Sequence, residues 1–187
     1  MASENRSPHP FTPPTLRPWQ EKALVRFESS QSPDFLAVAT PGAGKTAFAL
    51  TAARRALASG RARRIVVVVP TQHLKTQWAR VADDFGLVLE PDWSGRRGSL
   101  PADVQGVVVT YQQLGTAWRS LASIARQGFV VLDEIHHAGE SRAWGDGVRR
   151  AFEGASQRLG LSGTPFRSDA NPIPFVRYQR DEAEPDF

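Results

Sequence analysis

The sequence has no cysteine, which removes disulfides, cysteine-ligated zinc and thiol redox chemistry from consideration. Histidine is scarce, with four in all. His136 and His137 are adjacent, but His9 falls in a polar leader and His73 at a predicted helix start, so the spacing of a zinc site is missing. Long hydrophobic runs are also absent. The longest, Ile65 to Val69, is far short of the ~20 residues that span a bilayer. Met1 to Pro14 is polar and proline-rich with no apolar signal segment, so no membrane partner is expected and the cytoplasm is the default compartment. The cationic excess is small. Lys and Arg number 23 against 19 Asp and Glu, a net charge of +4 that by itself does not point to a polyanion. Its distribution says more, with Arg54, Arg55, Arg61, Arg63 and Arg64 crowded together and Asp181, Glu182, Glu184 and Asp186 near the end. The basic cluster is either part of a polyanion-binding surface or a solvated, arginine-rich helix end.

With 187 residues there is material for one sizeable core and too little for two ordinary α/β domains. The expected organisation is a leader over 1–14, one domain over 15–170, and a tail or linker start over 171–187. Within the domain, apolar runs alternate with helical patterns. Strands are predicted at Phe35 to Ala39, Ile65 to Val69, Val107 to Val109, Phe129 to Leu132 and Arg158 to Leu161. Helices are predicted at Ala47 to Ala58, Thr71 to Phe85 and Leu114 to Ala125. The continuously β-branched run Ile65 to Val69 suits a strand buried on both faces of a parallel sheet. Alternation of this kind implies right-handed crossovers and a three-layer α/β/α sandwich around a mostly parallel sheet. Ligands in such folds bind beyond the carboxyl ends of the strands. The polar and glycine-rich segments of this sequence sit at those ends.

The first of them, Ala39-Thr-Pro-Gly-Ala-Gly-Lys-Thr46, follows a strand and opens a helix, the context of a phosphate-binding loop. Pro41, Gly42, Ala43 and Gly44 form the turn, whose backbone N–H groups and following helix N-terminus attract phosphate. Lys45 is expected on the β- and γ-phosphates of ATP, and the Thr46 hydroxyl on a magnesium ion. The second, Phe129-Val-Val-Leu-Asp-Glu134, is a strand ending in two carboxylates. Asp133 is suited to hold Mg²⁺ with Thr46, and Glu134 to orient or deprotonate the attacking water. His136 either bonds to elements that respond to nucleotide state or is a satisfied structural histidine.

Together these residues resemble the superfamily 2 helicases and translocases of the DEAD/DEAH-box and DExH kind, over Leu16 to Arg167. Asp133-Glu-Ile-His136 is similar to the DExH motif. Leu16-Arg-Pro-Trp-Gln20 is similar to the adenine-reading segment of that family, which makes Arg17 and Gln20 nucleotide contacts; Gln20 is alternatively a surface residue. Ser162-Gly-Thr164 resembles the Ser-Ala-Thr segment that couples hydrolysis to movement, so Ser162 and Thr164 join His136 as coupling residues. Val69-Pro-Thr71 and Val109-Thr-Tyr111 resemble the segments that grip the nucleic-acid backbone. The resemblance assigns Pro70, Thr71 and Thr110 to DNA or RNA, while helix capping is the competing role of the two threonines. It implies a RecA-like P-loop NTPase fold with ATP and Mg²⁺ as ligands.

Members of that family carry a second lobe of the same fold, which the sequence after Thr164 is too short to supply. The expected reading is an amino-terminal lobe of a DNA or RNA motor needing a second RecA-like lobe in cis or in trans, whether the chain is a fragment, a split half or a remnant. The alternatives are a motor-subunit piece of a restriction-type complex, a non-enzymatic nucleotide- or nucleic-acid-binding scaffold and, more distantly, a small-molecule kinase. An arginine finger from the second lobe contributes a factor of roughly 10³ to 10⁵ in rate. The isolated chain is therefore expected to hydrolyse ATP very slowly. Its nucleic-acid binding, followed by fluorescence anisotropy, is expected to be weak and to fall as salt rises.

Overall fold

Ile65–Val69 is the centre of the molecule because none of its five side chains carries a polar atom and all five are buried. A strand with two apolar faces needs cover on both sides, and the chain supplies it. The computed structural model describes residues 14–95, 100–139, 142–163 and 174–175. The helices are α1 (Pro18–Ser29), α2 (Lys45–Ala58), α3 (Gln72–Asp84), α4 (Tyr111–Ala125) and α5 (Arg142–Phe152), with a 3-10 turn at Ile135–Gly139. The strands are β1 (Asp34–Val38), β2 (Ile65–Val69), β3 (Leu89–Glu90), β4 (Gly106–Thr110), β5 (Phe129–Leu132) and β6 (Gln157–Ser162). They form one sheet in the order β1-β6-β5-β2-β4-β3, and every adjacent pair is parallel. This is the three-layer α/β/α architecture expected from the alternation of elements.

Strand periodicity divides the core in two. Ile65, Val67, Val69, Val131, Leu159 and Leu161 face α1, α2 and α3. Val66, Val68, Val107, Val109, Val130 and Leu132 face α4, α5 and the 3-10 turn. Each large side chain so buried contributes about 1.5–3 kcal/mol of transfer free energy. Arg158 ties the edge of the sheet together. Its Nε donates to Asp34 at the start of β1, and its Nη1 donates to the carbonyls of Phe152 at 2.8 Å and Glu153 at 3.0 Å.

The predicted strands and helices match the observed ones to within a few residues, and four elements were not anticipated. α1 buries only Gln20, Leu24 and Phe27, too thin an apolar stripe to read as a helix. α5 carries Gly145 and Gly147, each of which disfavours helix in isolation. It is held by packing, with Val148, Ala151 and Phe152 buried in the second core. β3 and the 3-10 turn are too short for a periodic signal. Part of the arginine cluster is used locally, since Arg55 and Arg61 reach Glu28 of α1 at 3.2 and 3.9 Å. Among the described residues no helix is long and apolar enough to cross a membrane. The leader over 1–13 and nearly all of the 171–187 tail lie outside the described residues.

Two glycines test this packing with opposite signs. A Cβ on Gly106 would meet the Ile65 carbonyl oxygen at 2.0 Å, an obstruction made of backbone in the neighbouring strand. Gly106→Ala is expected to cost about 3 kcal/mol or more, the upper end of overpacking or beyond. Gly115, inside α4, has open space around its Cβ position. Gly115→Ala is expected to stabilise by roughly 0.5–1 kcal/mol. Urea denaturation of the two variants checks both.

Candidate active site

The phosphate-binding loop leaves β1 and turns through Gly42 and Gly44, both with left-handed backbone (φ 75° and 91°). At Gly44 a Cβ would also lie 2.6 Å from Gln20 Nε2, so a side chain there would force that amide to shift off the loop. The start of α1 clamps the loop from outside. Arg17 Nη1 donates to the Gly42 carbonyl at 3.0 Å, Trp19 Nε1 to that of Ala43 at 3.0 Å, and Gln20 Nε2 to that of Gly44 at 2.8 Å. A trans peptide points its C=O and N–H in opposite directions. With the Ala43 and Gly44 carbonyls turned toward α1, the N–H groups of Gly44 and Lys45 face the other way, into the mouth of the loop. The N-terminus of α2 adds its unsatisfied N–H groups and partial positive charge there. Gln20 is 3% exposed, so the surface-residue alternative does not hold. Its Oε1 accepts the Arg17 N–H at 2.7 Å while its Nε2 serves the loop. Pro41 is exposed on the same loop.

Lys45 Nζ donates to the Ala39 carbonyl at 2.9 Å and lies 3.5 Å from Glu134 Oε1. The second Glu134 oxygen accepts the Gly163 N–H at 3.0 Å. β6 lies between β1 and β5 in the sheet, so the residue after β6 arrives between the loop and the acidic pair. His136 Nδ1 lies 3.5 Å from Glu134 Oε2 and 3.5 Å from Ser162 Oγ, with Ser162 buried. His136 thus sits between the acidic pair and the end of β6. Thr164 lies outside the described residues. The Lys45–Glu134 pair lies at 3.5 Å, with the carboxylate more open to solvent than the ammonium. Glu134 itself has a left-handed backbone, φ 45°. Such a conformation in a non-glycine residue costs of order 1–3 kcal/mol and recurs at functional sites.

Asp133 is held at three points. Its Oδ2 accepts from Trp78 Nε1 at 2.9 Å, its carbonyl accepts from the Tyr111 hydroxyl at 2.9 Å, and its N–H donates to the Val68 carbonyl at 2.9 Å. Burial raises its carboxyl above the usual carboxylate range; the Trp78 bond opposes this, the Glu134 charge adds to it, and Lys45 opposes it. The same burial, with Asp133 and Glu134 adding, pushes the Tyr111 phenol well above its ordinary value. The Thr46 hydroxyl and the Asp133 carboxylate are hard oxygen donors of the kind magnesium takes. Among the described residues no three His, Asp or Glu side chains converge on one point.

The predicted nucleic-acid contacts divide. Pro70 is half-buried and Thr71 exposed at the end of β2. The Thr71 side chain makes no cap bond to α3 and lies instead 3.1 Å from His73 Nδ1. Thr110 is 4% exposed, and its hydroxyl accepts the Gln113 N–H at 3.3 Å. Capping is therefore a role Thr110 fills and Thr71 does not. Trp19, Tyr111 and Gly163 fall in segments named by the resemblance but were given no role of their own, and Trp78 falls in none of them. No local signal in the sequence names the partner of an indole N–H.

Residues 14–167 match the family model described as Type III restriction enzyme, res subunit. A protein of Mycobacterium tuberculosis, uncharacterised, is 49% identical over 173 residues, covering 91% of this chain and 29% of that protein. An uncharacterised protein of Mycobacterium leprae is 48% identical over 168 residues, covering 89% and 28%. The chain thus spans less than a third of the length of these relatives. Among solved structures, the Sulfolobus solfataricus SWI2/SNF2 ATPase core in complex with dsDNA is similar at a TM-score of 0.67 and 20% identity, over 83% of this chain and 33% of that one. The Pyrococcus furiosus Hef helicase domain is similar at 0.64 and 22%, over 81% and 34%. A nuclease-deletion mutant of the Type ISP restriction-modification enzyme LlaGI, in complex with a DNA substrate mimic, is similar at 0.57 and 21%, over 81% and 18%. At such identities these structures bear on the fold, and the family model, matching most of the sequence, bears on membership: the chain belongs to the Type III restriction enzyme res-subunit family and is a superfamily 2 helicase-type RecA-like domain.

Proposed function

We propose that this chain is the ATP-binding amino-terminal lobe of a motor that couples ATP hydrolysis to movement along DNA or RNA. The observation that carries the reading is the convergence of Lys45, Glu134 and the Gly163 N–H at one rim of the sheet, beside Asp133. Incoming ATP draws the Lys45 ammonium from Glu134 onto its β- and γ-phosphates, while the N–H groups of Gly44 and Lys45 receive the phosphate oxygens. Glu134, still fixed through one oxygen by Gly163, is then free to hold the attacking water and take its proton. Thr46 and Asp133 would hold magnesium, which would neutralise phosphate charge during the transfer. His136, Ser162 and Thr164 relay the change in Glu134 to β6. A second RecA-like lobe, in cis or in trans, supplies an arginine to the transition state and the other half of the nucleic-acid track.

Nucleic acid as the partner is supported by the duplex and the substrate mimic held in the similar structures. It is also supported by the exposed Thr71 and the N-terminus of α3 at the same rim. Backbone phosphate contacts of this kind position the strand without reading bases.

ATP hydrolysis measured with and without nucleic acid, with the second lobe present, tests the reading. Glu134→Gln is expected to lower the stimulated rate by about 10² to 10⁴ and to keep Mg·ATP binding, whereas Lys45→Ala loses binding as well. Stimulated turnover retained in both variants would remove the proposal, and nucleotide binding without turnover in the wild type would favour a scaffold.

Asp133 yields a stability test. A carboxyl whose pKa rises on folding stabilises the fold while protonated, and that contribution is lost as pH rises through the folded value. At neutral pH the buried charge is a net cost. Asp133→Asn is therefore expected to raise the Tm of the ligand-free protein at pH 7, with the gap narrowing as pH falls through the acid range. A lower Tm for Asp133→Asn at pH 7 would contradict this.

A further inference from the structure

α3, which begins at the proposed nucleic-acid contact Thr71, and α4, which begins at the buried cap Thr110, together hold the carboxylate proposed to bind magnesium. α3 starts after Thr71, and Thr71, Lys75 and Trp78 follow one another at spacings of four and three, which places them along one helix face. Thr71 is exposed at the rim, while Lys75 and Trp78 are 6% and 3% exposed. The Trp78 indole N–H is spent on Asp133 Oδ2. α4 starts after Thr110, and its first residue, Tyr111, is fully buried with its hydroxyl on the Asp133 carbonyl. One helix thus holds the side chain of Asp133 and the other its backbone.

The helices are also tied to each other. Lys75 Nζ donates to Gln113 Oε1 at 3.3 Å, and the same oxygen accepts the Thr110 N–H at 2.9 Å. Gln113 Nε2 reaches the Trp93 carbonyl at 3.3 Å. Burial lowers the Lys75 pKa, against the opposing influence of Asp92 and Glu90. A position needed for packing alone would be filled at less cost by an apolar side chain. Lys75 instead places a polar link between α3 and α4.

We propose that Trp78 is a positioning residue that carries nucleic-acid contact at the start of α3 to Asp133, with the Lys75–Gln113 link making α3 and α4 respond together. This rests on the reading of the rim as a nucleic-acid-dependent ATPase site and adds the route by which nucleic acid regulates it. A ligating carboxylate is aimed by its own hydrogen-bond donors, and loss of such a partner costs about 10- to 100-fold in metal affinity or activity. Displacement of α3 along its axis re-aims the indole, and the carboxylate follows.

The experiment is steady-state ATP hydrolysis by the full-length protein over a magnesium titration, without nucleic acid and with the DNA or RNA that stimulates the wild type most. Trp78→Phe keeps an aromatic ring and drops the donor. It is expected to raise the half-saturating Mg²⁺ concentration by about 10-fold or more and to lose most of the stimulation. Val81→Ala, on the same helix and packed against the same core, is expected to lower the Tm and change neither quantity. If the wild type is stimulated and Trp78→Phe keeps its magnesium dependence and stimulation, the relay is wrong and the motor reading stands. Equal losses in Trp78→Phe and Val81→Ala assign Trp78 to packing and also overturn the relay. A wild type that nucleic acid does not stimulate removes both proposals. Should Trp78→Phe fail to fold, Lys75→Met decides: loss of stimulation with an unchanged nucleic-acid-free rate supports the relay, and unchanged stimulation overturns it.

Discussion

Parallel pairing is the constraint on which everything at this site depends. Six strands running the same way put six carboxyl ends on one edge, so each loop that carries chemistry emerges at the same rim. Had β6 run antiparallel to β1 and β5, its carboxyl end, and with it Gly163, would have lain at the opposite edge, about 15–20 Å away for strands of this length. The insertion of β6 between β1 and β5 matters equally. It delivers the Gly163 N–H to Glu134, so the residue proposed to act on water is fixed by the backbone of a third element and not by flexible side chains alone.

The site is held ready by weak contacts on its ligand side and strong ones behind. In front, Lys45 and Glu134 neutralise each other across 3.5 Å in a partly solvated setting, an arrangement that a phosphate can exchange into. Behind, the loop carbonyls are taken by Arg17, Trp19 and Gln20, and Asp133 is taken by Trp78, Tyr111 and Val68. Apart from the exposed Arg17 bond, these rear contacts lie in or against the cores, where side chains are close-packed and do not yield continuously. A buried carboxylate with a raised proton affinity and a glutamate in a left-handed backbone are both costs to the ligand-free fold. They are local costs at a site whose surroundings are strong enough to impose them.

The similar structures and the family model agree with this architecture at the level of fold. The Mycobacterium relatives are about three times as long as the stretch they share with this chain, which accords with a lobe that works beside further structure. Nothing in the rim requires that partner in order to form. The strands, the loop and the acidic pair are all positioned by contacts within the lobe.

Much of the chemistry was legible in the sequence because it is encoded locally. The β-branched run Ile65 to Val69, the Gly-x-Gly-Lys-Thr turn ending at Thr46 and the apolar strand ending in Asp133 and Glu134 each announce their conformation through neighbours a few residues away. The alternation of strand and helix then leaves a parallel sheet as the economical solution. What tertiary structure decided is non-local. Which strand separates β1 from β5, that Gln20 is buried under the loop, and that the indole of Trp78 and the hydroxyl of Tyr111 end on Asp133 all depend on pairs about 20 to 120 residues apart. Period and turn type record how a segment folds on itself, but the partner of a buried donor is set by packing between segments, and no single stretch of sequence carries that information.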